Sequence, residues 1–453
     1  MTPIEVLLLA IGLLSLLGFL GFALVSLREK HHRASRLSFL FALLSSLLFA
    51  VLLVSPGLVQ SIALAIIGVG SVAAIILFFL PSGKKVTPSP PPVKRVDERT
   101  IMFARARLEP GTPNFEAYYR DHPEHKSLDE SFRQNPGLLE PGALFFNQKL
   151  AASPQGDFFL TESLRDAVDG PVSETKKVVE PPDQMTDFIK KLAIYHGARD
   201  VGVCRLQSYH IYSHIGRGSG EYGEEITLDH QFAVAFTVEM SHKMVNTGPR
   251  MPAVMESARQ YAEAGKIAVA LAAAIRAMGY PARAHIDGNY RVIAPLVAKD
   301  VGLGEIGRMG LLMTPSLGPR VRLAVVTTNL PLVEDQAAWY PEMIDFCSSC
   351  KKCAQACPSQ AIPFGDRQEY ADGTFRWKID PDRCYTYWTR VGTDCGRCMA
   401  VCPYAHADNL MHNLIRLGVA HSHNFRRAAY WMDDLFYGKK PLPHSPPDWI
   451  QPL

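Results

Sequence analysis

The N-terminal 83 residues most limit what this 453-residue chain can fold into. No charged side chain occurs between Val6 and Leu27, and none occurs between Leu37 and Gly83. A bilayer core needs about 20 apolar helical residues, and three stretches come close to or exceed that length, at residues 4–27, 37–54 and 58–80. Because the N-terminus also lacks the basic start of a signal peptide, we expect residues 1–83 to be a membrane anchor of three transmembrane helices. A buried soluble hairpin is the alternative.

The basic residues around these stretches predict how the anchor is oriented. They lie between the first two stretches and after the third: Arg28, Lys30, Arg33, Arg36, Lys84, Lys85, Lys94 and Arg95. The loop at residues 55–60 carries no lysine or arginine. By the positive-inside rule, the N-terminus faces outward and the remainder of the chain faces the cytoplasm. Residues 84–100 are rich in proline and are predicted to be a semi-rigid linker.

Eight of the nine cysteines lie within residues 347–402, which is the spacing of a metal centre. The first run is C-x2-C-x2-C-x3-C-P, and the second has one distant cysteine followed by C-x2-C-x3-C-P. In ferredoxins with two clusters, the fourth cysteine of a run binds the other cluster. One [4Fe-4S] cluster would then take Cys347, Cys350, Cys353 and Cys402, and the other would take Cys357, Cys384, Cys395 and Cys398. Tetrahedral zinc is the rival. We interpret Cys204, which stands apart, as a buried thiol.

Charge and coarse patterning define what surrounds this module. With 47 basic and 44 acidic residues, the chain has no basic surplus that would indicate a nucleic-acid partner. Residues 185–335 read as an α/β unit, with helices at 185–195 and 255–278 and strands at 200–205, 231–239, 281–285, 291–296 and 322–328. A glycine-rich run at 301–312 has dinucleotide-fingerprint spacing at Gly302, Gly304 and Gly307, but no acidic residue follows about 20 positions later. NAD binding is therefore disfavoured.

Four segments resemble the corrinoid-dependent reductive dehalogenases, and they occur in that family's order. They are DERTIMFARARLEPGTPNFEAYYRDHPE (97–124), GARDVGVCRL (197–206), GLGEIGRMGLLMTPSLGPRVR (302–322) and the pair FCSSCKKCAQACP and CGRCMAVCP. The resemblance implies an α/β (α+β) fold: a nitroreductase-like cobalamin-binding core at 101–335 and a double-[4Fe-4S] ferredoxin-like module at 336–410. Residues 411–453 are then expected to be an extension that packs on the core. The family binds its cobalamin base-off, without a protein ligand to cobalt.

The same resemblance implies roles for individual residues. The proton donor would be Tyr261, on the helix that ends in Gly279-Tyr280. A phenol has a pKa near 10, so a neighbouring cation is needed to favour the phenolate. Arg320 falls where the family has that basic residue, and Arg322 and Arg308 are alternatives. The residues expected to contact the cofactor or line its halide pocket are Gly302, Gly304, Glu305, Gly307, Arg308, Asp287, Asn289 and Arg322, although a carboxylate at Asp287 would face a halide unfavourably.

The chain departs from the family in its anchor. Most family members are exported by a twin-arginine signal and held by a separate anchor protein, whereas no twin-arginine pair occurs near this N-terminus. We therefore expect a self-anchored, cytoplasm-facing enzyme in a lipid bilayer, supplied with electrons by an unidentified low-potential donor. Its substrate would be an organohalide, reduced as C–X + 2e⁻ + H⁺ → C–H + X⁻. The alternatives are a corrinoid-dependent epoxide reductase of the epoxyqueuosine reductase type, whose proton donor is a carboxylate, and a membrane-bound iron–sulfur electron carrier without cobalt.

Overall fold

The structure, a computed structural model, describes residues 1–83, 85–175 and 179–450. It forms two compact units. The smaller unit comprises Met1–Val86 and Ala407–Leu442, and the larger unit comprises Thr87–His406 and Pro443–Leu453. Lys84, one of the basic residues that predict the orientation, lies outside the described residues, as do the last three residues of the predicted C-terminal extension.

The regular elements are numbered along the described chain. The α-helices are α1 (Pro3–Arg28), α2 (His32–Val54), α3 (Gly57–Phe79), α4 (Met102–Arg105), α5 (Pro113–Asp121), α6 (Pro123–Arg133), α7 (Gln148–Ser163), α8 (Pro182–Tyr195), α9 (His242–Val245), α10 (Met251–Ala277), α11 (Ala294–Asp300), α12 (Pro341–Cys350), α13 (Lys352–Ala356), α14 (Pro381–Val391), α15 (Arg397–Ala400), α16 (Leu410–His421) and α17 (His423–Tyr437). The strands are β1 (Asp200–Arg205), β2 (Phe232–Glu239), β3 (Ala282–His285), β4 (Glu305–Ile306), β5 (Leu312–Met313), β6 (Val321–Thr328), β7 (Gln368–Glu369) and β8 (Phe375–Arg376).

A four-stranded sheet in the order β1-β2-β6-β3 forms the centre of the larger unit, and all its neighbouring strands are antiparallel. Both faces are buried. Val234 and Phe236 of β2 pack in one hydrophobic cluster with α10, while Ala233 and Ala235 pack with α11 on the other side. Small residues on one face and large residues on the other explain how a strand can be covered by helices on both sides. The predicted α/β (α+β) fold class is thereby confirmed, and the antiparallel sheet makes it α+β.

Four of the five predicted strands are present, and the fifth is wrong. Residues 291–296 do not form a strand, because Ala294 begins α11 and Pro295 lies in its first turn. Proline is favoured there because the N–H groups of a first turn have no partner within the helix. Cys204 is buried in the core beside β2, as expected for a lone thiol. The glycine run leads into the short β4–β5 hairpin and not into a helix, so it is not a dinucleotide-binding turn.

The smaller unit contains the three apolar helices, and each is long enough and apolar enough to cross a membrane. α1 and α2 pack closely because small residues lie between them; a side chain at Gly12 would come within 2.9 Å of Phe49. Small residues at such contacts are typical of helices that associate in lipid. The three stretches predicted from hydropathy are therefore present as three helices.

The C-terminal helices α16 and α17 also belong to the smaller unit. α17 places Phe425 against Phe78 and Phe436 against Phe22 and Phe41, with ring centroids 5.2–5.9 Å apart. Residues 411–442 of the predicted extension therefore group with the apolar helices, and packing of residues 411–453 on the core stays a prediction. The sequence pattern of the extension did not reveal these aromatic contacts.

Much of the predicted linker is bound to the larger unit. The Val93 amide donates to the Asp372 carbonyl at 2.9 Å, and the Phe375 amide donates to Ser89 Oγ at 2.9 Å. The Arg95 guanidinium donates to the carbonyl oxygens of Tyr212 and Ile226 at 2.5 and 2.6 Å. Arg95 is thus part of the packing of this unit, and residues 87–96 follow its surface as an attached strap.

Candidate functional site

Tyr261 lies midway along α10 and faces the second residue of β6. The Arg322 guanidinium carbon is 4.8 Å from the centre of the Tyr261 ring, a cation–π contact. Tyr261 is partly exposed, and the Arg322 side chain is nearly buried, at 12% exposure. The longest helix of the core and a central strand together fix this pair.

The surroundings of Tyr261 favour its neutral, protonated form. Burial raises the pKa of Tyr261 above its usual value, and the positive charge of Arg322 opposes that rise. Burial alone would lower the pKa of Arg322, but Tyr261 and Asp394 raise it above the usual value, so the guanidinium stays charged. Burial also raises the pKa of Tyr290, with smaller contributions from Asp287 and Tyr261. Two recessed phenols and one fixed cation therefore share this region.

Two residues that sequence reasoning missed hold Arg322 in place. The Arg322 Nη2 group donates to Ser257 Oγ at 2.7 Å and to Asp394 Oδ2 at 3.2 Å. The Ser257 hydroxyl also donates to Asp394. Ser257 lies four residues before Tyr261, so both face the same side of α10, and Asp394 directly precedes Cys395. In the sequence, only the spacing of Ser257 from Tyr261 and the position of Asp394 beside Cys395 could have indicated that these two residues belong to the site.

Arg320 and Arg308, the other two basic candidates, bind elsewhere. Arg320 is 1% exposed and donates to Glu239 Oε1 at 2.9 Å, to the Ala405 carbonyl at 3.0 Å and to the Met240 carbonyl. It lies in the turn before β6, whereas Arg322 lies within the strand. Arg308 donates to the carbonyl oxygens of Cys347, Pro363 and Gly365. Of the three arginines, Arg322 is the one placed against Tyr261.

The two residues predicted near a halide pocket differ in their surroundings. Asn289 is fully buried; its side chain accepts from Arg283 at 2.8 Å and donates to the Arg165 carbonyl at 3.0 Å. It therefore fastens the loop after β3. Asp287 is 23% exposed, has Arg165 3.8 Å from its carboxylate and raises the pKa values of Tyr261 and Tyr290. Asp287 thus faces the tyrosines and Asn289 supports the loop.

The predicted glycines pack against the chain itself. A Cβ on Gly304 would lie 1.9 Å from the Met313 carbonyl oxygen, and one on Gly302, at φ +80°, would lie 2.8 Å from the Ala338 nitrogen. A Cβ on Gly307 would meet the Met313 sulfur at 2.3 Å and lie 3.6 Å from Cys347 Sγ. Tight packing of the hairpin beside the cysteine module is sufficient to require glycine at these positions.

Glu305, in the same hairpin, is a buried carboxyl group. Its side chain is 4% exposed, and its nearest cation is Lys299 Nζ at 3.7 Å. Burial raises the pKa of Glu305 to about 7, against the opposing effect of Lys299. This carboxyl group therefore changes charge near neutral pH.

The eight thiols of the cysteine module are buried or half-buried, and several of them lie close enough to raise one another's pKa values. Burial raises the pKa of Cys402 well above its usual value, and three nearby thiols add to that rise: Cys347, Cys350 and Cys353. Similarly, burial and then Cys398 and Cys357 raise the pKa of Cys384, and burial raises that of Cys395, with Cys398 and Cys384 adding to it. Cys398 also raises the pKa of Cys353, across the two predicted ligand sets, so the assignment of four thiols to each cluster stays a prediction.

The loops between the cysteines have the backbone shape that surrounds a cluster. Lys351 follows Cys350 at φ +56°, and Cys395 and Gly396 have φ values of +60° and +64°. Such left-handed turns direct backbone N–H groups into a concavity that suits anions. The Ala361 amide donates to Cys357 Sγ at 3.3 Å. These residues fit two iron–sulfur clusters bound through thiolates.

The Tyr261 region also has features that fit a bound corrinoid. The Nε of Arg322 and the Oδ1 of Asp394 are buried without a hydrogen-bond partner in the described part of the chain. The charged groups that shift the Tyr261 pKa are two arginines and two aspartates. A cofactor that needs no protein ligand to its metal is compatible with this set.

Comparison with known proteins extends these observations. The 4Fe-4S dicluster domain family matches residues 346–406. The tetrachloroethene reductive dehalogenase of Sulfurospirillum multivorans is 31% identical over 57% of this chain and 59% of its own length. That of Desulfitobacterium hafniense is 32% identical over 41% of this chain and 35% of its own. This chain therefore spans less than two thirds of either relative.

The solved structures agree with the sequence comparison. The catabolic reductive dehalogenase NpRdhA in complex with 3-bromo-4-hydroxybenzoic acid superposes with a TM-score of 0.64 and 26% identity, covering 78% of this chain and 48% of that one. Epoxyqueuosine reductase of Lactococcus garvieae is 31% identical, but only over 24% of this chain and 30% of its own length. The resemblance predicted from the sequence is confirmed, and it is much more extensive for the dehalogenases.

Proposed function

We propose that this chain, a homologue of the reductive dehalogenases in sequence and fold, is a membrane-anchored enzyme that replaces the halogen of an organohalide with hydrogen. The observation that carries the proposal is the Tyr261–Arg322 pair beside the cysteine module. The reaction is C–X + 2e⁻ + H⁺ → C–H + X⁻, so the site must supply one proton and two electrons. The relatives' names point to chlorinated ethenes and halogenated phenols as substrates to test.

Tyr261 Oη is the proposed proton donor. Burial keeps the phenol protonated at neutral pH, because its pKa is raised. When the proton leaves, the phenolate has Arg322 over its ring, and an adjacent cation lowers the energy of an anion in a dry site. Ser257 and Asp394 hold the guanidinium in that position. Arg322 thus stabilises the phenolate that remains after proton transfer. The sequence predicted this role for Arg320, Arg322 or Arg308.

The cofactors follow from the residues that would hold them. We infer two [4Fe-4S] clusters on the eight cysteines and a base-off cobalamin between the tyrosine region and the cysteine module. A bound corrinoid would supply the two-electron reduction of the carbon–halogen bond. Asp394 links Arg322 to the loop of Cys395, which supports entry of electrons from that side. Tyr290 and Asp287 would border the substrate.

The proposed location is a lipid bilayer crossed by α1, α2 and α3. The basic residues Arg28, Lys30, Arg33 and Arg36 support a cytoplasmic position for the loop between α1 and α2. The electron donor would then be a low-potential carrier of the membrane or the cytoplasm. A reporter protein that is active only outside the cytoplasm, fused after residue 453, is expected to stay inactive.

The decisive experiment combines metal content with turnover. Anaerobically reconstituted protein is expected to hold about one cobalt and about eight irons per chain. With reduced methyl viologen as donor, it should release halide from a chlorinated ethene or a halogenated phenol. Iron without cobalt would favour the electron carrier. Reduction of an epoxide without halide release would favour the epoxyqueuosine reductase type.

A further inference from the structure

The C-terminal helices α16 and α17 expose an apolar stripe that the proposed dehalogenation does not use. Leu410, Leu414 and Leu417 follow one another at i, i+4 and i+7 on α16 and are between 55% and 73% exposed. On α17, Trp431 is 65% exposed and lies one turn after the exposed Arg427. The side chains of α17 that face the apolar helices include Phe425 and Phe436. The outward side of α16 therefore carries a leucine stripe, and that of α17 carries Trp431 beside Arg427.

Contacts at both ends fix α17 across one end of the three apolar helices. Near its start, Asn424 Nδ2 donates to the Leu77 carbonyl at 2.8 Å, close to the C-terminus of α3. Near its end, the Leu435 carbonyl accepts from Arg33 Nε at 3.1 Å, at the start of α2. About 17 Å of helix separates Asn424 from Leu435. Because α3 ends where α2 begins, α17 crosses the bundle at the level where the spans leave the bilayer.

α16 is fixed at the same level. Glu29, just past the end of α1, accepts from Asn409 Nδ2 at 2.6 Å and pairs with His412 Nε2 at 3.1 Å. These polar contacts lie at the N-terminus of α16, and the leucine stripe runs along the helix from there. Both helices are thus held at one end of the bundle by hydrogen bonds to residues that border the spans.

The depth of α17 follows from its aromatic contacts. Phe436 packs edge-on against Phe22, with ring centroids 5.2 Å apart. Phe22 lies six residues before the end of α1 at Arg28, which is about 9 Å along the helix. Amphipathic helices that lie in a membrane interface bury their apolar face by about 5–10 Å. The C-terminal end of α17 therefore reaches that depth.

Charge gives a second indication of the same environment. Residues 407–442 carry five arginines and lysines against three aspartates. Lys439 and Lys440 follow α17 directly and are exposed, and they share one end of the bundle with Arg33. Tryptophan, arginine and lysine are the residues that anchor proteins at the headgroup level, and basic groups near a membrane attract anionic lipid.

We propose that α16 and α17 form an interfacial hairpin that lies in the headgroup region of one bilayer leaflet, with Leu410, Leu414, Leu417 and Trp431 against lipid. Its partner is a lipid surface that contains anionic headgroups. The inference rests on the proposal that α1, α2 and α3 span the membrane. The hairpin proposal adds a second membrane contact after the cysteine module, so that α1, α2 and α3 and then α16 and α17 would all contact the bilayer.

The test uses the full-length chain in nanodiscs of phosphatidylcholine and phosphatidylglycerol, with and without bromine on the acyl chains. The emission of Trp431 is obtained as the difference between the wild type and Trp431→Phe. Bromine in the upper acyl chain is expected to lower that emission at least about twofold, because the indole lies at the interface. Leu417→Trp, introduced into Trp431→Phe, should show the same quenching for α16.

Trp449 is the matched control, since it is 71% exposed and belongs to the larger unit. Its difference emission, obtained with Trp449→Phe, should be unaffected by brominated lipid. Trp431 emission that is equally insensitive to bromine would overturn the hairpin proposal, as would a dimer in which a second copy covers Trp431. Resistance of the protein to alkaline carbonate extraction tests the spans separately, so the failure of either proposal can be recognised.

Discussion

The cysteine module and the Tyr261–Arg322 pair are joined by hydrogen bonds, yet they are built in opposite ways. Seven of the eight thiols lie within two runs of 11 and 8 residues, so short loops bring them together. Tyr261 and Arg322 are 61 positions apart, and the sheet and α10 bring them together. A site whose ligands are close in sequence can be predicted from their spacing. A site formed by distant residues depends on which side of its helix or strand each side chain lies.

Asp394 connects the two sites, and this connection makes their comparison testable. It bonds Arg322 and stands next to Cys395, so the proton-donating pair is fastened to a cluster loop. If the proposal is right, changes in the module should remove the electron supply entirely. Changes at the pair should slow proton transfer in a protein that still holds its cofactors.

The largest effect is expected from loss of a cluster ligand. Cys395→Ser should reduce the iron content from about eight to about four per chain and abolish halide release, because electrons would no longer pass through the module. Iron analysis and anaerobic turnover check this. Cys204→Ala is the matched control, since Cys204 is buried in the core apart from the other thiols, and it should keep its iron. Full iron in Cys395→Ser would disprove the assignment.

Removing the proposed proton donor should have the next largest effect. Tyr261→Phe keeps the ring against Arg322 but deletes the hydroxyl, so we expect turnover to fall about 10²–10⁴-fold with iron and cobalt contents unchanged. Tyr195→Phe, at a strongly exposed tyrosine of α8, should retain full activity. Normal turnover by Tyr261→Phe would exclude the phenol as the donor.

Substitutions of Arg322 and Arg320 should have different effects, one on turnover and the other on stability. Arg322→Gln should lower turnover per bound cobalt about 10–100-fold, because the phenolate loses its cation. Arg320→Gln should instead lower the free energy of unfolding by about 2–4 kcal/mol, because the buried carbonyl oxygens of Ala405 and Met240 lose their donor. Thermal unfolding and turnover per bound cobalt separate the two effects. The reverse pattern would return the catalytic role to Arg320.

The pH dependence should sharpen the role of Arg322. Tyr261 must be protonated to act as an acid, and its pKa is raised above its usual value, so activity should persist through neutral pH and fall only on the alkaline side. Arg322 opposes that rise, and Arg322→Gln should therefore move the alkaline limb of kcat/KM to still higher pH. A limb that moves to lower pH would contradict the electrostatic assignment.

The smallest expected effect concerns Glu305, beside the module. Burial raises the pKa of this carboxyl group to about 7, so the folded state favours its neutral form. Its contribution to stability is present below the unfolded pKa near 4.5 and is lost as the pH rises through about 7. The free energy of unfolding of Glu305→Gln minus that of the wild type should therefore be larger at pH 8 than at pH 5, by about 1–3 kcal/mol. Unfolding midpoints at the two pH values measure this difference, and equal differences would contradict it.

Features that depend on local pattern could be predicted from the amino-acid sequence. Hydropathy over about 20 residues predicted α1, α2 and α3, because crossing a bilayer requires length and apolarity alone. Cysteine spacing predicted the iron–sulfur module, which the 4Fe-4S dicluster family also matches, because ligands two residues apart in a tight loop have little freedom. Alternating apolar residues predicted β2 and β6, and the resemblance to a family selected Tyr261 on α10.

Contacts between distant residues could not be predicted from the sequence, because they depend on how whole elements pack. Arg320 and Arg322 are equivalent in composition and nearly so in position, but the turn before β6 directs Arg320 to Ala405 and the strand directs Arg322 to Tyr261. Ser257 and Asp394 contact Arg322 because α10 and the cysteine module pack against the same strand. The docking of α16 and α17 on the apolar helices depended on aromatic contacts between chain ends. Such contacts are set by the packing of whole elements, which a one-dimensional pattern does not encode.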